Sequence, residues 1–129
     1  MNASPLVRGI GGFFIYANDP PAIRDWYIRH FGFQFMDWGG DTYGFDFIFV
    51  DPDGTKGQTV FSIMKSKETL AASLRGYRLN WRVADLDAFL AKLEAEGITI
   101  EKREDSDYGK FAWILDPEGN KLELYEPLN

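Results

Sequence analysis

The chain has 129 residues, 45% of them hydrophobic and 16% aromatic, which suffices for one buried core and argues against disorder. Its net charge of −6 disfavours a nucleic-acid surface, and the absence of cysteine excludes disulfides, thiolate metal sites and a thiol nucleophile. No apolar run has the length of a membrane span, and Met1 to Leu6 has neither the basic nor the apolar region of a signal peptide, so a cytoplasmic protein is expected.

In chain order, Ile10–Tyr16 reads as a strand. Asp19 suits the cap of the helix that follows, with Pro20 and Pro21 in the first turn, where a missing N–H costs little. Ile23, Trp26, Tyr27 and Phe31 give that helix one apolar face, and Gly32 ends it. Strands are predicted at Phe33–Trp38 and Tyr43–Val50, with Gly39-Gly40-Asp41 as the turn between them. Asp51-Pro52-Asp53-Gly54 has turn chemistry and leads to a strand over Gln58–Met64. Lys65 to Gly76 reads as a linker. Arg78–Val83 is then a strand, and Leu86, Phe89, Leu90 and Leu93 are the stripe of a helix from Asp85 to Glu96. Further strands fall at Ile98–Lys102, Phe111–Leu115 and Lys121–Glu126, with Asp116–Gly119 as the last turn.

This order repeats itself. Tyr43-Gly44 and Tyr108-Gly109 are each followed eight positions later by a turn, Asp51-Pro52-Asp53-Gly54 in one case and Asp116-Pro117-Glu118-Gly119 in the other. The chain is therefore an α+β protein of two βαβββ modules, about residues 8–65 and 77–127, expected to pair around a shared groove that could take a ligand.

Strand alternation sorts the candidate lining of that groove. Phe14 and Tyr16 share a face with Gly12, Asn80 and Arg82 with Arg78, and Lys121 and Tyr125 with Glu123. The opposite faces carry Phe13, Ile15, Leu79, Trp81, Val83, Leu122 and Leu124 and are expected beneath the helices. Phe14 and Tyr16 suit ligand contact or dimer packing. Alternation leaves the facing of Trp38, Phe45, Phe47 and Phe49 open. The single histidine, His30, cannot build a two-histidine iron site and is expected at the surface, at a helix C-terminus. Glu94, Glu96 and the charges of 101–107 are expected to be solvated.

Tyr16-Ala17-Asn18-Asp19, Trp26-Tyr27, Phe31-Gly32-Phe33, Val83-Ala84-Asp85-Leu86-Asp87 and, above all, the segment from Asp116 to Pro127 resemble the vicinal oxygen chelate superfamily of glyoxalases, bleomycin-resistance proteins and extradiol dioxygenases. The resemblance implies a cupped mixed sheet with helices outside, a ligand cavity inside, and a homodimer. It also implies four metal-ligand positions. These map to Gly12, Arg78, Phe61 (or Gln58, depending on where the gap falls) and Glu123. Glycine has no side chain to offer and arginine cannot bind a cation, so a conventional divalent metal site is not expected, and no cofactor with it. An Arg78–Glu123 ion pair is expected instead, either neutralising the cavity floor or leaving Arg78 to anchor a ligand carboxylate or phosphate. Glu123 is the candidate catalytic group, but a general base needs a raised pKa and a neighbouring arginine lowers it.

The expected ligand-binding set is thus Phe14, Tyr16, Phe61, Arg78, Asn80, Arg82, Glu123 and Tyr125. The expected function is capture of a small organic molecule; the resemblance to bleomycin-resistance proteins implies a cationic planar compound, with which the acidic, aromatic-rich composition is compatible and Arg78 is less so, and neither nucleic acid nor membrane is an expected partner. The alternative is a glyoxalase-like lyase, isomerase or dioxygenase that holds its metal unconventionally. A third reading is a non-catalytic domain whose cavity is filled by its own aromatics.

Overall fold

Residues 10, 12–68 and 78–128 are described by the structure, a computed structural model. The first module runs β1 (Gly12–Ala17), α1 (Pro20–Phe31), β2 (Met36–Gly39), β3 (Thr42–Val50) and β4 (Lys56–Lys65). The second runs β5 (Leu79–Arg82), α2 (Leu86–Ala95), β6 (Lys102–Asp105), β7 (Gly109–Leu115) and β8 (Lys121–Pro127). Each module closes one four-stranded mixed sheet, in the orders β1-β4-β3-β2 and β5-β8-β7-β6, with the outer pairs β1/β4 and β5/β8 parallel. Most of the expected linker, residues 69–77, lies outside the described residues.

The helix boundaries follow from local chemistry. The Asp19 carboxylate accepts from the Ala22 N–H at 3.2 Å, and Asp85 does the same for Ala88 at 3.0 Å, each satisfying an amide that helix geometry leaves without a partner. Gly32 ends α1 at φ 74°, a left-handed conformation that glycine adopts without steric cost. One predicted strand is displaced. Ile98 and Ile100 are partly buried against the core in an extended connection, whereas the pairing with β7 begins at Lys102. The apolar alternation there marked burial and not pairing.

The two modules share a single core. Ile15, Ile23, Tyr27, Phe61 and Ile63 of the first module join Leu79, Trp81, Leu86, Leu90, Leu93, Ile114, Leu122 and Leu124 of the second in one buried cluster. Trp81 sits at the seam, its ring 5.0 Å from Phe61, 5.3 Å from Phe33, 5.8 Å from Tyr27 and 6.1 Å from Phe31. The strand registers put these residues on the helix-facing sides of both sheets. Within one chain the modules therefore meet through their helix sides, not around the expected groove, and their other faces are turned away from the shared core.

Polar contacts reinforce the seam. Glu118, in the last turn of module two, accepts from the backbone N–H groups of Asn18 and Asp19 at 2.9 and 2.8 Å, just ahead of α1. His30 is 6% exposed, so the expectation of a surface histidine is corrected: its Nδ1 lies 3.0 Å from Glu96 Oε1, and its carbonyl accepts from Lys92 Nζ at 3.0 Å. Glu96 is accordingly a partner in the seam and not merely solvated. Its pKa is held below the ordinary glutamate value, first by the hydrogen bond from His30 and then by Lys92.

A depressed carboxylate contributes stability that is present above its unfolded pKa and lost as pH falls through its folded pKa. Glu96→Gln should therefore be less stable than the wild type at neutral pH, and that gap should close on acidification below the ordinary glutamate range. Paired urea melts across the acid limb check this; a gap that stays constant with pH would remove the carboxylate from the explanation.

Candidate functional site

Each sheet has one face not covered by helices. On module two, the register aligns that face in rows. One row is Asn80, Glu123, Trp113 and Lys102; the next is Arg82, Tyr125, Phe111 and Glu104. The Phe111 ring stacks on Tyr125 at 5.0 Å and lies nearly parallel to Trp113 at 6.3 Å, so the aromatics form a wall across the sheet. Asn80 Nδ2 donates to Glu123 Oε2 at 2.6 Å in the middle of the face. Lys102 Nζ lies 5.4 Å from the centre of the Trp113 ring, a cation–π contact.

On module one, the open face carries Phe14 and Tyr16, 58% and 53% exposed, beside Ser62 and Met64 of β4. Trp38 and Met36 of β2 complete it. A Cβ added at Gly44 would lie 2.5 Å from the six-membered ring of Trp38, so the absence of a side chain there is what lets that ring lie flat across the sheet. Tyr125 uses Gly109 in the same way on module two, where an added Cβ would come within 2.6 Å of its ring. The expected alternation thus holds for Phe14, Tyr16, Asn80, Arg82 and Tyr125, and Trp38 joins the open face.

Other expected site residues are placed differently. Phe61 is fully buried on the helix side, packed against Tyr27, Phe33, Phe45 and Trp81, and belongs to the core and not to a ligand pocket. The reason is register: Gly12 pairs with Val60, which puts Val60, Ser62 and Met64 on the open face and Phe61 beneath it. Phe45 and Phe47 also turn toward the core, within 4.6 and 5.8 Å of Phe33. The Arg78–Glu123 ion pair is not formed. Leu79 pairs with Leu122, so Glu123 stands opposite Asn80 and takes its hydrogen bond there, while Arg78 falls at the strand's entrance near Lys121.

Trp113, Phe111 and Lys102 were not identified from the sequence. Both faces of β7 are apolar, Phe111 and Trp113 on one and Ala112 and Ile114 on the other, so alternation alone did not choose between them. The signal lay in pairing, because Trp113 stands opposite Glu123.

A hollow of about 350 Å³ opens at the lower end of the module-two face, lined by Arg78, Glu101, Lys102, Trp113 and Lys121. A larger one, about 580 Å³, runs along α1 between Ala22, Trp26, Arg29, His30 and Pro117. In the larger hollow Asp25 is engaged with Arg24 at 2.8 Å and His30 with Glu96, and it lies on the helix side, away from both open faces.

The sequence model of the Glyoxalase/Bleomycin resistance protein/Dioxygenase superfamily matches residues 9–124. The chain belongs to this superfamily. No curated protein is similar enough in sequence to match. Among solved structures, TnmS3, an antibiotic binding protein from Streptomyces sp. CB03234, is 24% identical with a TM-score of 0.70, covering 96% of this chain and 99% of its own. TioX from Micromonospora sp. ML1 is 21% identical with a TM-score of 0.65, covering 93% and 99%. Lactoylglutathione lyase from Agrobacterium tumefaciens is 18% identical with a TM-score of 0.71, covering 95% and 96%. At these identities the likeness is one of fold.

The metal that enzymes of the superfamily hold does not fit the residues of this member. At Gly12, a Cβ would stand 2.8 Å from the Val60 carbonyl oxygen and 3.2 Å from the Phe14 ring, so the first-strand position has no room for a ligating side chain without backbone movement. Arg78 places a cation at the second position; of the two candidates for the third, Phe61 is a phenyl ring buried on the helix side and Gln58, opposite Ile48, offers an amide and no charge. Among the described residues, no three of His, Cys, Asp and Glu converge.

Proposed function

We propose that this superfamily member is a metal-independent binding protein for a small planar organic molecule, acting as a cytoplasmic homodimer. The observation that carries the reading is the pair of open faces, in which flat aromatic rings occupy the sheet where an enzyme would present metal ligands. Trp38 over Gly44, Phe14 against Gly12 and Tyr125 over Gly109 offer π-surface and no Lewis acid. TnmS3, whose fold the chain shares, is an antibiotic binding protein, which supports a capture role.

Solvation supports the dimer. Phe14, Tyr16, Met36, Trp38 and Ile48 together expose an apolar patch of a kind that soluble chains rarely leave wet. A second copy laying its module-two face over this one would cover both and enclose the ligand between aromatic walls.

A second reading keeps one specific support. Glu123 retains a carboxylate at a superfamily ligand position, and the fold is also that of a lactoylglutathione lyase. Elemental mass spectrometry of protein purified without chelator separates the two. Negligible divalent metal per chain, with a dimer in sedimentation, is expected. About one ion per chain, lost in Glu123→Ala, would overturn the binding reading in favour of a metal-dependent enzyme.

A further inference from the structure

The chain carries a net charge of −6, yet the hollow at the end of the module-two face gathers Arg78, Lys102 and Lys121 against one acid, Glu101. Lys102 has a counter-charge of its own, Glu104 at 3.5 Å. Arg78 and Lys121 make no ion pair or side-chain hydrogen bond among the described residues, and Glu123, on the same face, is hydrogen-bonded to Asn80. Three cations around one carboxylate leave an excess of positive charge in the hollow, and an arriving anion relieves the repulsion among them while gaining charge-assisted hydrogen bonds. The aromatic wall of Tyr125, Phe111 and Trp113 leads directly to this hollow.

We infer that the ligand is an aromatic acid, its ring lying against the Phe111 and Tyr125 wall and its carboxylate received by Arg78 and Lys121, with Lys102 at the side. The inference rests on the binding reading above and narrows it. It also reverses the charge expected from composition. The global charge is acidic, but the groups that would meet the ligand's polar end are basic. A cation at Trp113 would face Lys102, which already occupies that ring.

The test uses three naphthalenes of one shape on the full chain: 2-naphthoate, the neutral 2-naphthamide and the cationic 2-naphthylmethylamine. Binding is read by calorimetry and by the indole N–H resonance of Trp113, assigned through Trp113→Phe. The acid should bind about tenfold more tightly than the amide, and raising ionic strength should shrink that preference. In Arg78→Gln/Lys121→Gln the preference for the acid over the amide should vanish, with an unchanged circular dichroism spectrum and urea midpoint showing that the fold is intact. Equal affinity for acid and amide, or tightest binding of the amine, would overturn the inference and leave the binding reading standing. If no naphthalene of any charge binds, the binding reading falls and takes the inference with it.

Discussion

Trp81→Ala should lower stability by about 3–5 kcal/mol, the range for truncating a large aromatic in a core that cannot collapse around the gap. The site qualifies. Trp81 is 9% exposed, and its ring touches Tyr27, Phe31, Phe33, Phe47 and Phe61, all from the other module. Five rings fixed in edge-on and tilted contacts have few ways to move inward together, so most of the cavity would persist. Its indole N–H has no acceptor among the described residues, so the loss is one of packing and dispersion with no hydrogen bond to count. Urea titration should show a lower midpoint with an unchanged slope, and Trp81→Phe should recover much of the difference. A loss below about 1 kcal/mol would mean that the seam between modules contributes little to the fold.

Glu118→Gln should cost about 1.5–3 kcal/mol, the range for hydrogen bonds to a charged group, with solvent access at Asp19 favouring the lower end. The carboxylate uses both oxygens, one for Asn18 N–H and one for Asp19 N–H. The isosteric amide keeps one acceptor but presents an NH₂ to the other donor, so one amide at the start of α1 loses its partner. Thermal unfolding of Glu118→Gln beside Glu118→Ala checks this. Equal stability of Glu118→Gln and the wild type would show that charge and the second acceptor are immaterial there. The corresponding residue of module one, Asp53, is one methylene shorter, and its carboxylate accepts from Thr55 N–H at 3.0 Å within its own turn.

Much of the plan was legible because periodicity and punctuation agreed. Asp19, the two prolines and Gly32 bracket α1, and the repeated Asp-Pro turns bracket the last hairpin of each module. The site was less legible because a candidate residue's role depends on which face of the sheet it takes. Phe61 and Ser62 differ by one position, and only the pairing of Gly12 with Val60 decides which of them reaches the open face. Arg78 and Glu123 lay on the correct side, yet a two-residue difference in register gave Glu123 to Asn80. His30 was misplaced for another reason. A helix terminus is exposed in an isolated module, but here α2 brings Lys92 and Glu96 against it. No pattern within α1 announces a neighbour supplied by a distant segment.

Chains assembled from like units commonly tolerate the loss of one, because each unit keeps most of its apolar surface covered by itself or by an identical neighbour. The common core of this protein removes that freedom. Tyr27 and Phe61 are dry because Trp81 closes over them, and Trp81 is dry because they do the same in return. Severed from its counterpart, either half would present that cluster to water and lose the burial that fixes its helix on its sheet. What the sequence writes twice is therefore expected to fold once: with one buried cluster shared by both halves, melting should be a single cooperative event for the whole chain.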